Sequence, residues 1–345
     1  MAKLFFLISG ENKTLPLAEL LAILEAEKYE FCITEKLDQV IRLKAEKKSI
    51  NSVYLRSAYT RVCALELFTC EPTEEKIINN LNKINLTSVL NEQESFAVRI
   101  KRVRNYAKKS VVMDLEKKIG KKILQNTKKT RVNLSMPDKI FVGILTSGKL
   151  IFGLNIATIC PKPFGERRPR KKPFFHPSAM PSKLARCMVN LAHAKRNDLV
   201  LDPFCGTGNT LIEATFIGCR TLGLDAQRKM LEGCKQNLEH FNITPEGLIL
   251  SDARKHPIIK TNCVITDPPY GRCCSTMNST TKKIVKMVLF SVMSLLKKGD
   301  RICIASPKSI HLSQVGKTVG YKHIESHFVY VHRSLTREIA VFEKQ

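Results

Sequence analysis

Val264-Ile265-Thr266-Asp267-Pro268-Pro269-Tyr270-Gly271 is the stretch on which the reading of this chain turns. Val264 and Ile265 have the apolar, β-branched character of a buried strand. Two successive prolines cannot prolong it, since each lacks a backbone N–H and fixes φ near about −65°. The chain must therefore stop at the strand's carboxyl end, which in an open α/β sheet is where ligands bind. There a carboxylate and a prolyl carbonyl form two fixed acceptors, a pair suited to gripping an –NH2 group, and the ring of Tyr270 offers a face to a planar base. An ordinary strand-ending turn has the same outline, so the surrounding chain has to decide between them.

Upstream, a pattern of strand, turn and helix repeats. Leu199-Val200-Leu201-Asp202 reads as a strand, and Pro203-Phe204-Cys205-Gly206-Thr207-Gly208-Asn209 as a tight loop that opens a helix. Glycines in such a loop let the backbone approach a ligand closely. Thr221-Leu222-Gly223-Leu224-Asp225 is a second strand, ending in an acid 23 residues after Asp202. An acid at that point commonly holds the two hydroxyls of a ribose. Leu248-Ile249-Leu250-Ser251-Asp252-Ala253 closes a third strand on another acid, and Asp267 closes the fourth. A dehydrogenase would share the first glycines, but Thr210 and Leu211 stand where its third glycine belongs. The loop also lacks the lysine of a P-loop nucleotidase.

The 345 residues carry 57 Lys and Arg against 31 Asp and Glu, a formal net charge of +26. Such an excess points to a polyanionic partner, nucleic acid before an anionic membrane surface. No apolar run reaches the roughly 18 to 20 residues of a spanning helix. The apolar start Leu4-Phe5-Phe6-Leu7-Ile8 is short for a signal peptide and reads as a strand. The 12 cysteines show no C-x2-C pair, so metal-ligand spacing is absent, and the chain is expected to be cytoplasmic with reduced thiols.

Residues 1–55 alternate as a small α/β unit, with a helix over about 15–27 whose Leu17, Leu20, Leu21 and Leu24 share one face. A second α/β unit follows over 56–157, where basic residues concentrate. Arg99, Lys101, Arg102, Arg104, Lys108 and Lys109 are spaced to follow a phosphate backbone, with a solvated lysine face as the alternative. Residues 158–180, rich in Pro, Arg and Lys and including Arg167 and Arg168, read as a basic linker that also touches RNA. His176 is either a structural residue or a pocket wall.

The stretch from Phe96 through Asn133-Leu134-Ser135-Met136-Pro137-Asp138 to Leu145 resembles a THUMP domain, an RNA-binding module. The loop Asp202-Pro203-Phe204-Cys205-Gly206-Thr207-Gly208 together with Asp267-Pro268-Pro269-Tyr270 resembles class I S-adenosylmethionine (SAM)-dependent methyltransferases that modify an exocyclic or amide nitrogen. With Phe174-Phe175-His176-Pro177 and His332-Arg333-Ser334-Leu335-Thr336-Arg337-Glu338 added, the chain is similar to archaeal tRNA guanine-10 N2-methyltransferases, although Ser178 stands where that family often has Gly.

The resemblance implies an α/β chain of four parts: a ferredoxin-like domain over 1–55, a THUMP domain over 56–157, the linker over 158–180, and a Rossmann-like domain with a mixed seven-stranded sheet over 181–345. It implies SAM as cofactor, held by His176, Asp202, Pro203, Phe204, Gly206, Thr207, Gly208, Asp225, Ala226, Asp252, Ala253 and Asp267. The Asp202 loop would lie under the methionine part, Asp225 on the ribose, and Asp252 on the adenine amine. Asp267, Pro268 and Tyr270 would be catalytic, with Tyr270 stacked on the target base. The implied partner is tRNA, with no metal and no membrane; the protein is expected to act as a monomer, and a small activating subunit stays open. Open too are another tRNA site or ribosomal RNA, an adenine N6 target, and a non-catalytic RNA-binding module.

Overall fold

The computed structural model describes residues 1–104, 106, 109–127, 129–270 and 280–345. In chain order the elements are β1 (Ala2–Ile8), α1 (Leu15–Ala26), β2 (Phe31–Leu37), β3 (Val40–Ala45), α2 (Ser49–Arg56), β4 (Thr60–Cys70), α3 (Glu74–Lys83), β5 (Ser95–Arg102), α4 (Lys109–Asn126), β6 (Arg131–Val132), β7 (Lys139–Thr146) and β8 (Lys149–Thr158). They continue as α5 (Lys162–Glu166), α6 (Ser182–Leu191), β9 (Leu199–Asp202), α7 (Asn209–Thr215), β10 (Arg220–Asp225), α8 (Arg228–His240), β11 (Gly247–Leu250), β12 (Cys263–Thr266), α9 (Thr281–Met293), β13 (Arg301–Pro307), α10 (Leu312–Val319), β14 (Tyr321–His332) and β15 (Leu335–Lys344).

Two compact units result. The first takes residues 1–11, 29–54 and 60–160, and the second takes 12–28, 55–59 and 161–345. In the first, one eight-stranded sheet runs in the order β2-β3-β1-β4-β8-β7-β5-β6. The strands of 1–55 and those of 56–157, expected as separate domains, thus share a single hydrogen-bonded sheet, because β1 pairs with β4 from Leu4↔Leu65 onward. Phe96, Phe141 and Phe152 fill the core between this sheet and α4, whose Leu115, Ile119 and Ile123 are buried while Lys117, Lys118 and Lys121 face solvent. This is the burial of one apolar stripe that a helix on a sheet requires.

The second unit is the doubly wound α/β fold expected from the strand and helix alternation. Its seven-stranded sheet runs β11-β10-β9-β12-β13-β15-β14, with β15 antiparallel to both neighbours. The strand order reverses between β9 and β12, which pair through Val264↔Leu201. At such a switch point the connections leave in opposite directions and a crevice opens at the carboxyl edge.

The helix α1 departs from its expected setting. The sequence places one apolar face at Leu17, Leu20, Leu21 and Leu24, yet Leu15, Ala18, Glu19, Leu20, Ala22, Ile23 and Leu24 are all buried, while Leu17 and Leu21 are half-buried. Its small residues Ala18 and Ala22 share a core with Ala185, Val189 and Ala192 of the α6 region. Glu19 explains the attachment. Its fully buried carboxylate accepts from the Ser57 hydroxyl at 2.7 Å, the Ala58 and Tyr59 amides at 2.9 Å each, and Asn190 Nδ2 at 2.9 Å. A buried carboxylate is tolerated when its lone pairs are met in this way. Glu19→Ala removes the acceptor from four donors at once and is expected to lower the unfolding free energy by about 3 kcal/mol. Urea titration measures it, and a change of less than about 0.5 kcal/mol would show that this cluster contributes nothing.

Candidate active site

A cavity of about 290 Å3 opens at the carboxyl edge of the second unit's sheet. Asp225, Ala226, Asp252 and Ala253 line it at the ends of β10 and β11, and Pro203, Phe204 and Gly206 line it from the loop after β9. Asp267, Pro268 and Tyr270 close it after β12, and His176 stands on the wall. Asp202, Thr207 and Gly208 lie behind the wall, all of them within the fold of the loop. Gly206 and Gly208 take left-handed φ values of 51° and 82°. A Cβ on Gly208 would meet Cys234 Sγ at 2.7 Å, so the loop needs glycine there for space as well as for backbone.

Each acid is held differently. Asp202, 2 % exposed, accepts from Thr266 Oγ1 at 2.8 Å and the Phe204 amide at 3.1 Å, and burial pushes its carboxyl up to about 7. Asp225 accepts the Gly206 amide at 3.1 Å and the Gln227 amide at 2.9 Å, and burial raises its pKa in spite of them. The Ala226 amide is a third backbone donor to this carboxylate, which leaves about one of its four lone-pair directions for a ribose hydroxyl. Asp252, expected to face an adenine amine, has its carboxylate turned onto Arg254, whose Nε lies 2.9 Å from each oxygen. That guanidinium holds the Asp252 carboxyl below its usual range.

The His176 stretch is fixed by residues far away in sequence. Asn237 on α8 exchanges two 2.9 Å bonds with the Phe174 backbone and donates to Thr207 O at 2.9 Å, tying this stretch to the glycine loop. The Phe174 ring lies over Gly233, where any Cβ would fall 2.0 Å from it. His176 Nδ1 meets the Ser178 hydroxyl at 2.6 Å and accepts from the Ser178 amide at 3.3 Å, an arrangement that leaves the ring's other nitrogen as the N–H. The serine in place of glycine thus orients the ring.

Around Asp267 the structure assembles a trio. The Tyr270 hydroxyl donates to Asp267 Oδ1, and Arg337 Nη2 lies 3.3 Å from Oδ2. The Arg337 guanidinium also sits 5.6 Å from the Tyr270 ring centre. Burial raises the Asp267 pKa, and the Arg337 charge and the Tyr270 hydroxyl oppose that rise. Tyr270, expected to stack on a base, has its polar end on the carboxylate in this conformation. Arg337 comes from β15, where it pairs with Pro307. Its segment was recognisable in the sequence, but its place beside Asp267 follows from β15 lying two strands from β12.

The basic residues divide. In the first unit, Lys101 and Arg102 are exposed on β5, Arg104 pairs with Asp38 at 3.0 Å, and Arg99 donates to the Leu134 carbonyl, bracing the loop after β6. Lys109 begins α4, and Lys108 lies outside the described residues, as do Gly271, Cys273 and Cys274. The expected linker is instead packed. Arg167 makes a bidentate pair with Glu213, at 2.7 and 3.1 Å, between the rings of Phe164 and Phe216 at 4.8 and 4.7 Å. Arg186 completes the cluster at 2.9 Å from the same carboxylate, which is 1 % exposed. Arg167 is therefore engaged inside the fold, and Arg168 is the exposed member of the pair. Among the described residues no group of three His, Cys, Asp or Glu could hold a metal, and no helix is long and apolar enough to cross a membrane.

Comparison with known proteins agrees with this fold. A family model described as an RMKL-like methyltransferase domain matches residues 169–338, and the THUMP domain model matches residues 71–150. A tRNA (guanine(10)-N2)-dimethyltransferase of Methanothermobacter thermautotrophicus is 34 % identical over 344 residues, 99 % of either chain. The chain belongs to the tRNA (guanine(10)-N2)-dimethyltransferase family. Another protein of that name, from Methanocaldococcus jannaschii, is 30 % identical across 98 % of this chain and 99 % of its own. The crystal structure of TrmN from Thermus thermophilus shares the fold, with a TM-score of 0.55 at 15 % identity, covering 99 % of this chain and 100 % of that one.

Membership in this family implies SAM, and the residues present fit it. Asp225 keeps acceptor capacity beyond its backbone donors, Phe204 and Met230 give an apolar shelf, and the backbone at Gly206 approaches the cavity without a side chain. The buried Asp202 generates a pH prediction. Its folded pKa lies above the unfolded value near about 3.9, so between those values the native state binds the extra proton and stability falls as pH rises. Asp202→Asn removes that dependence. Relative to the parent, the variant should gain up to about 4 kcal/mol between pH 4 and pH 8, read by denaturant unfolding without cofactor. Parallel pH curves for the two proteins would contradict the assignment.

Proposed function

We propose that this protein transfers methyl groups from SAM to the exocyclic N2 of guanosine at position 10 of tRNA, and that it does so twice to give the dimethylated base. The observation that carries the proposal is the placing of Asp267 and Pro268 on the cavity wall, directly after β12 and in the same cavity as Asp225. Names of relatives 30–34 % identical along the whole chain support the choice of guanine N2. SAM-dependent methylation of tRNA guanosine follows from family membership; position 10 and dimethylation are the finer part of the proposal.

The chemistry follows from a weak nucleophile. The lone pair of the guanine amine is delocalised into the ring. When bound, SAM supplies an electrophilic methyl on a sulfonium. Asp267 and the Pro268 carbonyl accept N–H bonds from the amine, favour its pyramidal form and direct its lone pair. This is positioning with electrostatic stabilisation of the positive charge that develops on nitrogen. A proton then leaves that nitrogen for Asp267 or water. For the amine to reach Asp267, the Tyr270 hydroxyl must give up its bond, which frees the ring to stack on the base. The base must leave its helix to enter the cavity.

The first unit supplies RNA affinity through Lys101, Arg102 and the exposed lysines of α4, in keeping with its THUMP match. In this reading the protein acts in the cytoplasm as a monomer, and reconstitution with purified protein alone decides whether a small activating subunit is needed.

Nucleoside mass spectrometry of unmodified tRNA incubated with protein and labelled SAM tests the proposal. Label in N2-methyl- and N2,N2-dimethylguanosine is expected; binding of tRNA without label in any base would leave a non-catalytic RNA-binding protein. Asp267→Ala should lower transfer by at least about 1,000-fold while changing tRNA affinity only a few-fold, since phosphate contacts supply most of that affinity. An equal loss in both would refute this division.

A further inference from the structure

We infer that Arg337 is a base-recognition residue whose Nε–H is reserved for a ring nitrogen of the substrate base, the acceptor adjacent to the amine held by Asp267. The inference rests on guanine N2 as the target and adds to it the edge of the base that enters.

Arg337 is 7 % exposed and lines the cavity. Its Nη2 faces Asp267 at 3.3 Å. Its Nε is buried and, among the described residues, has no hydrogen-bond partner. Leaving an N–H of a charged group unmatched in a buried site is costly, and native structures rarely do so. A guanidinium presents its donors in one plane with fixed spacing. In this conformation the Tyr270 ring stands against the guanidinium, its centre 5.6 Å away; once Tyr270 leaves Asp267 to admit the base, as the proposed reaction requires, the unmatched Nε–H is left beside the carboxylate. Together they present a donor beside an acceptor.

Guanine offers two such neighbourhoods around N2. On one side lies N1–H, a donor, which would oppose the Arg337 N–H. On the other lies N3, an acceptor, which matches it. The pair Arg337–Asp267 thus suits N3 together with one N2–H, the sugar edge of the base, and leaves the N1 side turned away from Arg337. The second methylation keeps this arrangement, because N3 and one N2–H both survive the first.

The test uses tRNA assembled by ligation with either guanosine or 3-deazaguanosine at the target position. The deaza base keeps the amine and loses only the N3 acceptor. The wild-type protein is expected to methylate the deaza substrate about 10- to 100-fold more slowly in kcat/KM, as for loss of one hydrogen bond to a charged donor. Arg337→Lys, which keeps a positive charge near Asp267 but not the planar Nε–H, should treat the two substrates within about threefold of each other. Melting temperature and SAM binding of the variant show that it is folded. Where steady-state turnover is too slow to follow, the same ratio is taken from single-turnover rates with enzyme and SAM in excess over each tRNA. Equal rates on both substrates for wild type, or undiminished discrimination by Arg337→Lys, would overturn the inference while leaving N2 methylation in place. Absence of label in the guanosine substrate with wild type would overturn both.

Discussion

A negative charge must be kept on Asp267 although its surroundings resist it, and the site is built around that demand. Burial favours the protonated acid at Asp267, and it does so too at Asp202 behind the wall, where the nearby Asp267 charge adds to the effect. The parallel pairing of β9, β10 and β12 makes the crowding unavoidable, since it brings every strand-ending acid to one edge. Like charges in a poorly solvated place cannot all stay ionised without help. The fold resolves this by giving each acid a different partner: a threonine hydroxyl for Asp202, backbone amides for Asp225, and an arginine each for Asp252 and Asp267.

That distribution separates two tasks within one cavity. On the β10 side Asp225 lines the cavity with acceptor capacity left over, whereas Asp202 lies behind the wall and the Asp252 carboxylate is held by Arg254. Asp267, on the β12 side, is in the proposed reaction the acid that meets the base receiving the methyl. The Tyr270 hydroxyl and Arg337 together satisfy Asp267 in the absence of a base, so the carboxylate is not left bare. In the proposed reaction the substrate amine replaces a neutral donor, and the arginine stays as the counter-charge.

Much of this was legible in the sequence for a simple reason. Strand-ending acids, left-handed glycines and paired prolines act within a few residues of themselves, so the edge of the sheet could be read from Asp202, Gly206, Asp225 and Asp267 alone. The illegible parts depend on partners far along the chain. Arg167 resembles its neighbour Arg168 in every local respect, and Glu213, 46 residues away, is what draws it inside. The helix α1 belongs with the second unit through Glu19 and Asn190, which are 171 residues apart. Arg337 reaches Asp267 only because the last hairpin inserts β15 next to β13. A run of basic residues shows charge, but not which members are already paired.

Replacing the target guanosine with inosine, which lacks the 2-amino group and is otherwise the same base, tests the central claim most directly. The account predicts that tRNA carrying inosine at position 10 takes no methyl from SAM, while it competes with guanosine-bearing tRNA for the protein about as well as before. Methylation of the inosine-bearing tRNA at an undiminished rate would contradict the account, because no amine would then be needed at Asp267.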